Sequence, residues 1–321
     1  MANTFAPNGF AQYAGTGSAP TYEQVPVAIK STNTTAIFFN DPVVQAADAN
    51  GVGTGYITQA YGPVTLTVAG NKITTDANGV LTVTYTGYST PTSNLPTFAS
   101  QTWAPPIGST LIISGATVSG VNGAFTVTAA SASGNTVTCA APGLAASQTS
   151  TASGTVTVIV PVAGVFAGCR YLSTSQKRTV WGNYWPGSDA NGDVEAYIIT
   201  DPNAQFIVQT ANTNTTATAV GLASIGQNIS FAWNDYTATG ETNGNTANGL
   251  STMFADQYSL IANSSLPALN AYLPFRIKSL ANAPLGVAGA LSGINGNDPT
   301  TAYNKIVVGF NNAMPRNTAG I

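Results

Sequence analysis

From Ala77 to Cys169 the chain carries no Asp, Glu, Lys or Arg. The stretch is not greasy, because Val and Ile alternate with Thr, Ser, Asn and Gly. Examples are Leu81-Thr-Val-Thr-Tyr85, Thr110-Leu-Ile-Ile-Ser114 and Thr155-Val-Thr-Val-Ile159. A period of two sends alternate side chains to opposite faces of a strand, so these segments read as half-buried β-strands. With no carboxylate and no cation, the run can neither exchange protons nor hold a phosphate or a metal ion. It reads as an architectural module.

The same bias extends to the whole chain, of which 7% is charged and 44% hydrophobic; an average soluble protein is about 25% charged. Its solvated faces must therefore be built from Thr, Ser, Asn and Gln. A net charge of -3 provides little self-repulsion, which suits a symmetric assembly. The nine basic residues are scattered, so nucleic acid is not an expected partner. Histidine is absent, which removes the usual general base, the commonest transition-metal ligand and the Ser-His-Asp arrangement together. Cys139 and Cys169 lack CxxC spacing and read as small buried hydrophobes rather than zinc ligands or a bridge. No cofactor, metal or catalytic role is expected. The longest apolar run, Val156 to Cys169, is broken by Pro161, Gly164 and Gly168 and is too short for a bilayer. It reads as a buried strand pair, and no membrane is expected as a partner. The first 40 residues lack the basic start and apolar stretch of a signal peptide, so the product is expected to stay in the cytoplasm or be built into something there.

Asp-Ala-Asn-Gly occurs at Asp48, Asp76 and Asp189, and Asp-Pro at Asp41, Asp201 and Asp298. Both are turn signals. Between them lie short β-rich runs at the spacing of a sandwich or barrel. Helix is scarce, and its best candidate is Leu250 to Ile261. The fold class is all-β. Residues 62–161 parse as seven strands, near 64–69, 71–75, 80–86, 110–114, 124–130, 135–139 and 155–160, the size of an immunoglobulin-like sandwich. This segment holds only Lys72 and Asp76 of the 21 charged residues. Such a composition step reads as a guest domain inserted into a discontinuous β-barrel or sandwich host, residues 1–61 plus 162–321.

With the guest removed, Gly55 to Ala60 runs on to Val162 to Tyr171. The joined text resembles a family of tailed-bacteriophage virion proteins that decorate or cement the head. The resemblance rests on the opening MANTFAPNGF, on Ile37 to Val43, Gly164 to Tyr171, Asn183 to Pro186, Asp193 to Ile198, Asp201 to Asn203, Phe206 to Gln209 and Leu273 to Ile277, in that order. The guest has no counterpart in the family's usual pattern, and its Gly115 to Thr128 stretch resembles immunoglobulin-like modules of phage structural proteins. The resemblance implies a virion protein on the capsid exterior, made in the bacterial cytoplasm. It implies the major capsid protein as partner and a homotrimer as assembly, and a cement role rests on neutral contacts that salt barely screens. A receptor-binding or tail protein, and the major capsid protein itself, are the alternatives; the latter lacks the long helix it would need.

Phe5, Phe10, Tyr13 and Tyr22 sit among Gly, Ala and Pro and read as contacts on an extended arm, residues 1–22, ordered by a capsid or protomer neighbour. Trp181, Tyr184 and Trp185, followed by Asp189, Asn191 and Asp193, read either as a platform for weak glycan binding or as a strand and turn closing the host core. Asp189-x-Asn191-x-Asp193 opens like a calcium loop, but Val194 and Thr200 stand where that loop needs Gly and Glu. Asp193 and Glu195, two apart, share one strand face, as a glycan-cleaving pair would require; solvated strand ends explain them as well.

Overall fold

The computed structural model describes residues 3–15, 24–89, 103–118, 120–141, 143–145, 147–152, 154–237, 242–262, 267–281 and 297–314. In chain order the strands begin with β1 (Ala11–Ala14), β2 (Val25–Ile29), β3 (Pro42–Ala47) and β4 (Gly53–Gln59). Residues 62–161 hold β5 (Val64–Thr67), β6 (Ile73–Thr75), β7 (Val80–Thr84), β8 (Gly87–Ser89), β9 (Thr110–Ser114), β10 (Gly123–Ser131), β11 (Thr136–Ala140), β12 (Thr149–Ser150) and β13 (Thr155–Ile159). Then come β14 (Gly164–Leu172), β15 (Thr179–Gly182), β16 (Val194–Ile199), β17 (Gln205–Ala211), β18 (Asn228–Ala232), β19 (Gly244–Asn245), β20 (Leu250–Ser251) and β21 (Phe254–Asp256). Helices α1 (Tyr258–Ala262) and α2 (Pro267–Ala271) precede β22 (Phe275–Leu280) and β23 (Lys305–Phe310). The fold is all-β, and no helix among the described residues is long and apolar enough to cross a membrane.

The residues flanking 62–161 form two closed sheets. In the first barrel β14, β16, β2, β4 and β3 follow one another and β3 returns to β14 through Gly164↔Val43 and Val165↔Pro42, with β15 added to β14. Its core is Ile29, Ile37, Val43, Ile57, Phe166, Cys169, Trp185, Val194, Ala196 and Ile198. In the second barrel β17, β21, β18, β22 and β23 close through β23 on β17, and β1 extends β17. Five phenylalanines, Phe10, Phe206, Phe231, Phe275 and Phe310, fill it. Phe275 stacks on Phe10 at 4.3 Å and on Phe310 at 5.8 Å.

Residues 62–161 form an antiparallel sandwich. One leaf runs β12-β6-β7-β11-β10 and the other β10-β9-β13-β5-β8, with β10 belonging to both. A register shift between Val127 and Ala129 lets β10 bend from one leaf into the other. Inward Val64, Leu66, Leu81, Val83, Leu111, Ile113, Val137, Cys139, Val156 and Val158 meet between the leaves. The seven expected strands are present, and short β8 and β12 join them. The immunoglobulin strand order is not. That order splits into ABED and CFG sheets, whereas here the first strand pairs antiparallel with the last, Val64 opposite Val158, and β6 pairs with its successor β7.

The chain leaves for the sandwich and returns from it on either side of one residue. Val43 pairs with Gln59 on β4 and with Gly164 on β14, so the two junctions stand two strand spacings apart, roughly 10 Å. The seam is packed as well: Ile112 and Ile159 of the sandwich meet Leu269 and Leu273 at α2.

Three expectations are corrected. The N-terminal segment is not a free arm over its described part: Phe10 is fully buried, Phe5 packs on Phe254 and Tyr303, and β1 pairs with β17. Its Gly and Ala residues make no core alone, but its aromatic rings complete one. Leu250 to Ile261 is helical only from Tyr258; Leu250–Ser251 and Phe254–Asp256 are strand, because pairing of Phe254–Asp256 with β17 and β18 overrides helix propensity. Val156 to Cys169 is not a strand pair, since β13 and β14 lie in different sheets on either side of Pro161.

Two of the Asp-Ala-Asn-Gly turns are the same device. Asp48 and Asp76 each accept the amides two and four residues on, at 2.8–2.9 Å, and Gly51 and Gly79 both take φ of +74°. Asp189 instead turns its carboxylate back to Ser173 and Ser175.

Candidate functional site

The most prominent exposed ring is Trp181, 66% exposed on β15. Its position follows from a bulge in β14, where register against β16 shifts between Phe166 and Gly168 and Gly168 takes φ of +123°. Beyond the bulge Cys169 points inward and Arg170 outward. Arg170 lies opposite Trp181 on one side and Glu195 on the other, and Tyr197 stands two residues along from Glu195 on the same face.

The four side chains form one layer. The Arg170 guanidinium donates through Nε and Nη2 to Glu195 Oε2 at 2.7 and 2.6 Å and lies 5.2 Å from the centre of the Trp181 ring. The Tyr197 hydroxyl donates to Glu195 Oε1 at 2.6 Å, and its ring stacks along Trp181 at 6.1 Å and 9°. The hydrogen bond from Tyr197, then that from Arg170, holds the Glu195 carboxyl below its usual range; the same contacts raise Tyr197 and Arg170. A shallow cavity of about 400 Å³ opens beside the layer, lined by Gln24, Gly168, Gly182 and Asn183 together with the two rings.

Trp181, Tyr184 and Trp185 do not form one platform. Trp185 is fully buried and its indole N–H donates to Asn33 O at 3.2 Å. Tyr184 stacks on Phe38 at 5.3 Å. Only Trp181 offers a face to solvent, and its partner is Tyr197. Of the N-terminal aromatics, Tyr13 is exposed, Phe5 and Phe10 are engaged within the chain, and Tyr22 lies outside the described residues.

Asp193 and Glu195 do share a face, but they serve different neighbours. Asp193 accepts from Tyr56 Oη at 2.7 Å and from the Ser31 amide, and these bonds lower its pKa. A glycosidase pair needs one carboxyl kept protonated, whereas both of these are held ionised. Asp189 and Asp193 turn away from each other, and no group of three His, Cys, Asp or Glu among the described residues is placed to hold a metal ion. Both cysteines are free and buried, and burial pushes each thiol up to about 12.

Arg170 and Tyr197 escaped sequence reading because their roles depend on pairing across β14, β15 and β16. The one local signal is Ala167-Gly168 inside a strand pattern, a bulge signature. No family model, curated protein or solved structure matches this chain.

Proposed function

We propose that the chain is a structural protein that decorates and cements the capsid of a tailed bacteriophage. It binds the major capsid protein from the virion exterior, as a homotrimer, after synthesis in the host cytoplasm. The sandwich is displayed outward. The carrying observation is the scarcity of charge in the contacts the fold makes: Arg170–Glu195 is the one ion pair among the described residues. A shell exposed to media of any ionic strength is best held by neutral hydrogen bonds and apolar contact, which salt barely screens. Repetition over a symmetric lattice then multiplies interfaces of about 1,600 Å² each. Trp181 and Tyr13 are among the exposed aromatic rings, with Tyr236, that can anchor such contacts; Trp, Tyr and Arg dominate binding hot spots.

A reconstruction of purified particles tests this reading, with hundreds of copies over the head as the expected result. A handful of copies at the tail would replace it with a receptor-binding tail protein. That second reading draws on the exposed Trp181 ring beside Tyr197, a surface on which a sugar ring can stack weakly.

A further inference from the structure

The two barrels meet in a clasp of uncharged groups around one carboxyl. The Phe39 amide donates to Gly249 O at 2.9 Å and the Ser251 amide to Phe39 O at 3.0 Å, tying the first barrel to the β19–β20 hairpin of the second barrel's connection. The N-terminal segment joins them, with the Phe10 amide on Asn40 O at 2.9 Å and Asn40 Nδ2 on Asn8 O at 3.0 Å. Packing is so close that a Cβ on Gly9, at φ +72°, would stand 2.6 Å from both Asn40 O and Ser251 Cβ.

Asp41 lies at the centre and is fully buried. Its Oδ2 accepts the Phe38 amide at 2.8 Å and Gln59 Nε2 at 2.7 Å. Gln59 Oε1 in turn accepts Asn243 Nδ2 at 2.7 Å, which extends the chain of bonds from the carboxyl into the hairpin segment. Oδ1 is buried without a hydrogen-bond partner, and the Ser251 hydroxyl faces the carboxyl without satisfying that oxygen. The groups that face Asp41 from the N-terminal segment, the 37–40 turn, β4 and the hairpin are amides, carbonyls and this hydroxyl. Among the described residues no charged side chain contacts it; the phenol in the layer, Tyr184, stacks on Phe38 and lies against Gly249.

A carboxylate with no counter-charge and one empty oxygen is expensive to bury, whereas the neutral acid is tolerated. Hydrating Oδ1 requires the clasp to part. We propose that Asp41 is a protonation-controlled latch between the barrels, closed while the carboxyl is neutral and loosened when it ionises, so that the β19–β20 hairpin lifts from the first barrel. Burial pushes Asp41 up to about 7. A raised acid gives its full stabilisation below the ordinary carboxylate range, and that stabilisation is lost progressively until pH reaches the raised value. The latch is therefore tightest in acid, loosens as pH rises from about 4 and reaches its loosest by about pH 7.

Hydrogen exchange of the full chain, corrected for the intrinsic pH dependence of exchange, tests the latch. Amides of 37–41 and 249–253 should open more readily as pH rises from about 4 to 7, by up to about tenfold per pH unit, and level off above 7. Amides of β7 and β11 should not change. In Asp41→Asn the pH dependence at the clasp should disappear. Flat protection in the wild-type clasp, or an unaltered pH response in the variant, overturns the proposal. A ¹³C titration of side-chain carboxyls in the wild type keeps the test decisive if Asp41→Asn does not fold. A resonance assigned to Asp41 that ionises below pH about 5, in the ordinary carboxylate range, also sinks it.

Discussion

The sandwich is filled mainly by Val, Leu and Ile with the thiol of Cys139, joined by buried Tyr85 and Trp103, and its two charges, Lys72 and Asp76, stay exposed. The second barrel is filled by five phenylalanines and keeps Asp235 and Asp256 inside, and Asp41 lies buried where the two barrels meet. The sandwich gains its stability from many small aliphatic contacts laid down by alternation. The barrels concentrate theirs in a few large rings and a few enclosed acids, so single residues there carry more, and solution pH reaches them.

The contrast is sharpest at the N-terminus. Deleting residues 1–14 removes Phe10 and β1 together. It should destabilise the second barrel by at least the roughly 3–5 kcal/mol of a buried Phe truncation, read as a lowered melting temperature. An unchanged melting curve would restore the picture of a free arm. Phe275→Ala should cost about 3–5 kcal/mol in denaturant unfolding, because Phe275 touches four other rings. Leu81→Ala in the sandwich should fall in the lower half of the roughly 2–5 kcal/mol range for such changes. The comparison breaks if the leucine loss is the larger.

Acidity separates the regions next. Burial pushes Asp41 up to about 7 and Asp256 up to about 6, the latter helped by the charge of Asp235. Both raised acids stabilise the fold fully below the ordinary carboxylate range. That contribution fades as pH climbs from about 4 to about 7, a loss on the order of a few kcal/mol, and changes no further above 7. Asp189, Asp193, Glu195 and Asp298 have values lowered by hydrogen bonds and act in the opposite sense, only under strongly acidic conditions. Thermal melts across pH 4–9 should decline as pH rises to about 7 and level off beyond it, and sandwich amides should take no part in the decline.

Smaller effects follow at the surface. Asp76→Ala frees two amides and should cost about 1 kcal/mol, and Asp48→Ala the same in the first barrel. Trp181→Ala should move stability by no more than about 0.5 kcal/mol, yet weaken binding to purified heads. Equal binding by that variant would remove Trp181 from the contact surface.

The same contrast governs what a reader of the sequence can see. Strands of the sandwich are legible because Val-Thr alternation is local, and the turn at Asp76 because Asn-Gly favours positive φ. Their order is not, since nothing local says that Val64 will lie against Val158. Trp181 and Trp185 are four apart in similar text, yet one is exposed and the other is the largest fully buried side chain of the first barrel. The bulge at Gly168 and the bridge from Ile37 to Trp185 decide that, and both depend on distant partners. Asp41-Pro42 reads as a turn like Asp201-Pro202 and Asp298-Pro299. The latter two do bind the amides just after them, whereas Asp41 reaches back to Phe38 and inward to Gln59.

Because β4 and β14 flank the same residue of β3, the first barrel's hydrogen-bonded ring stays whole when everything between them is cut away. A short linker across residues 62–161 would span the gap, and Leu269 and Leu273 would become newly wetted surface. The position behaves as a socket. Cargo whose own ends emerge side by side can be plugged in there without redrawing the rest of the chain, provided it brings an apolar cheek to cover those two leucines.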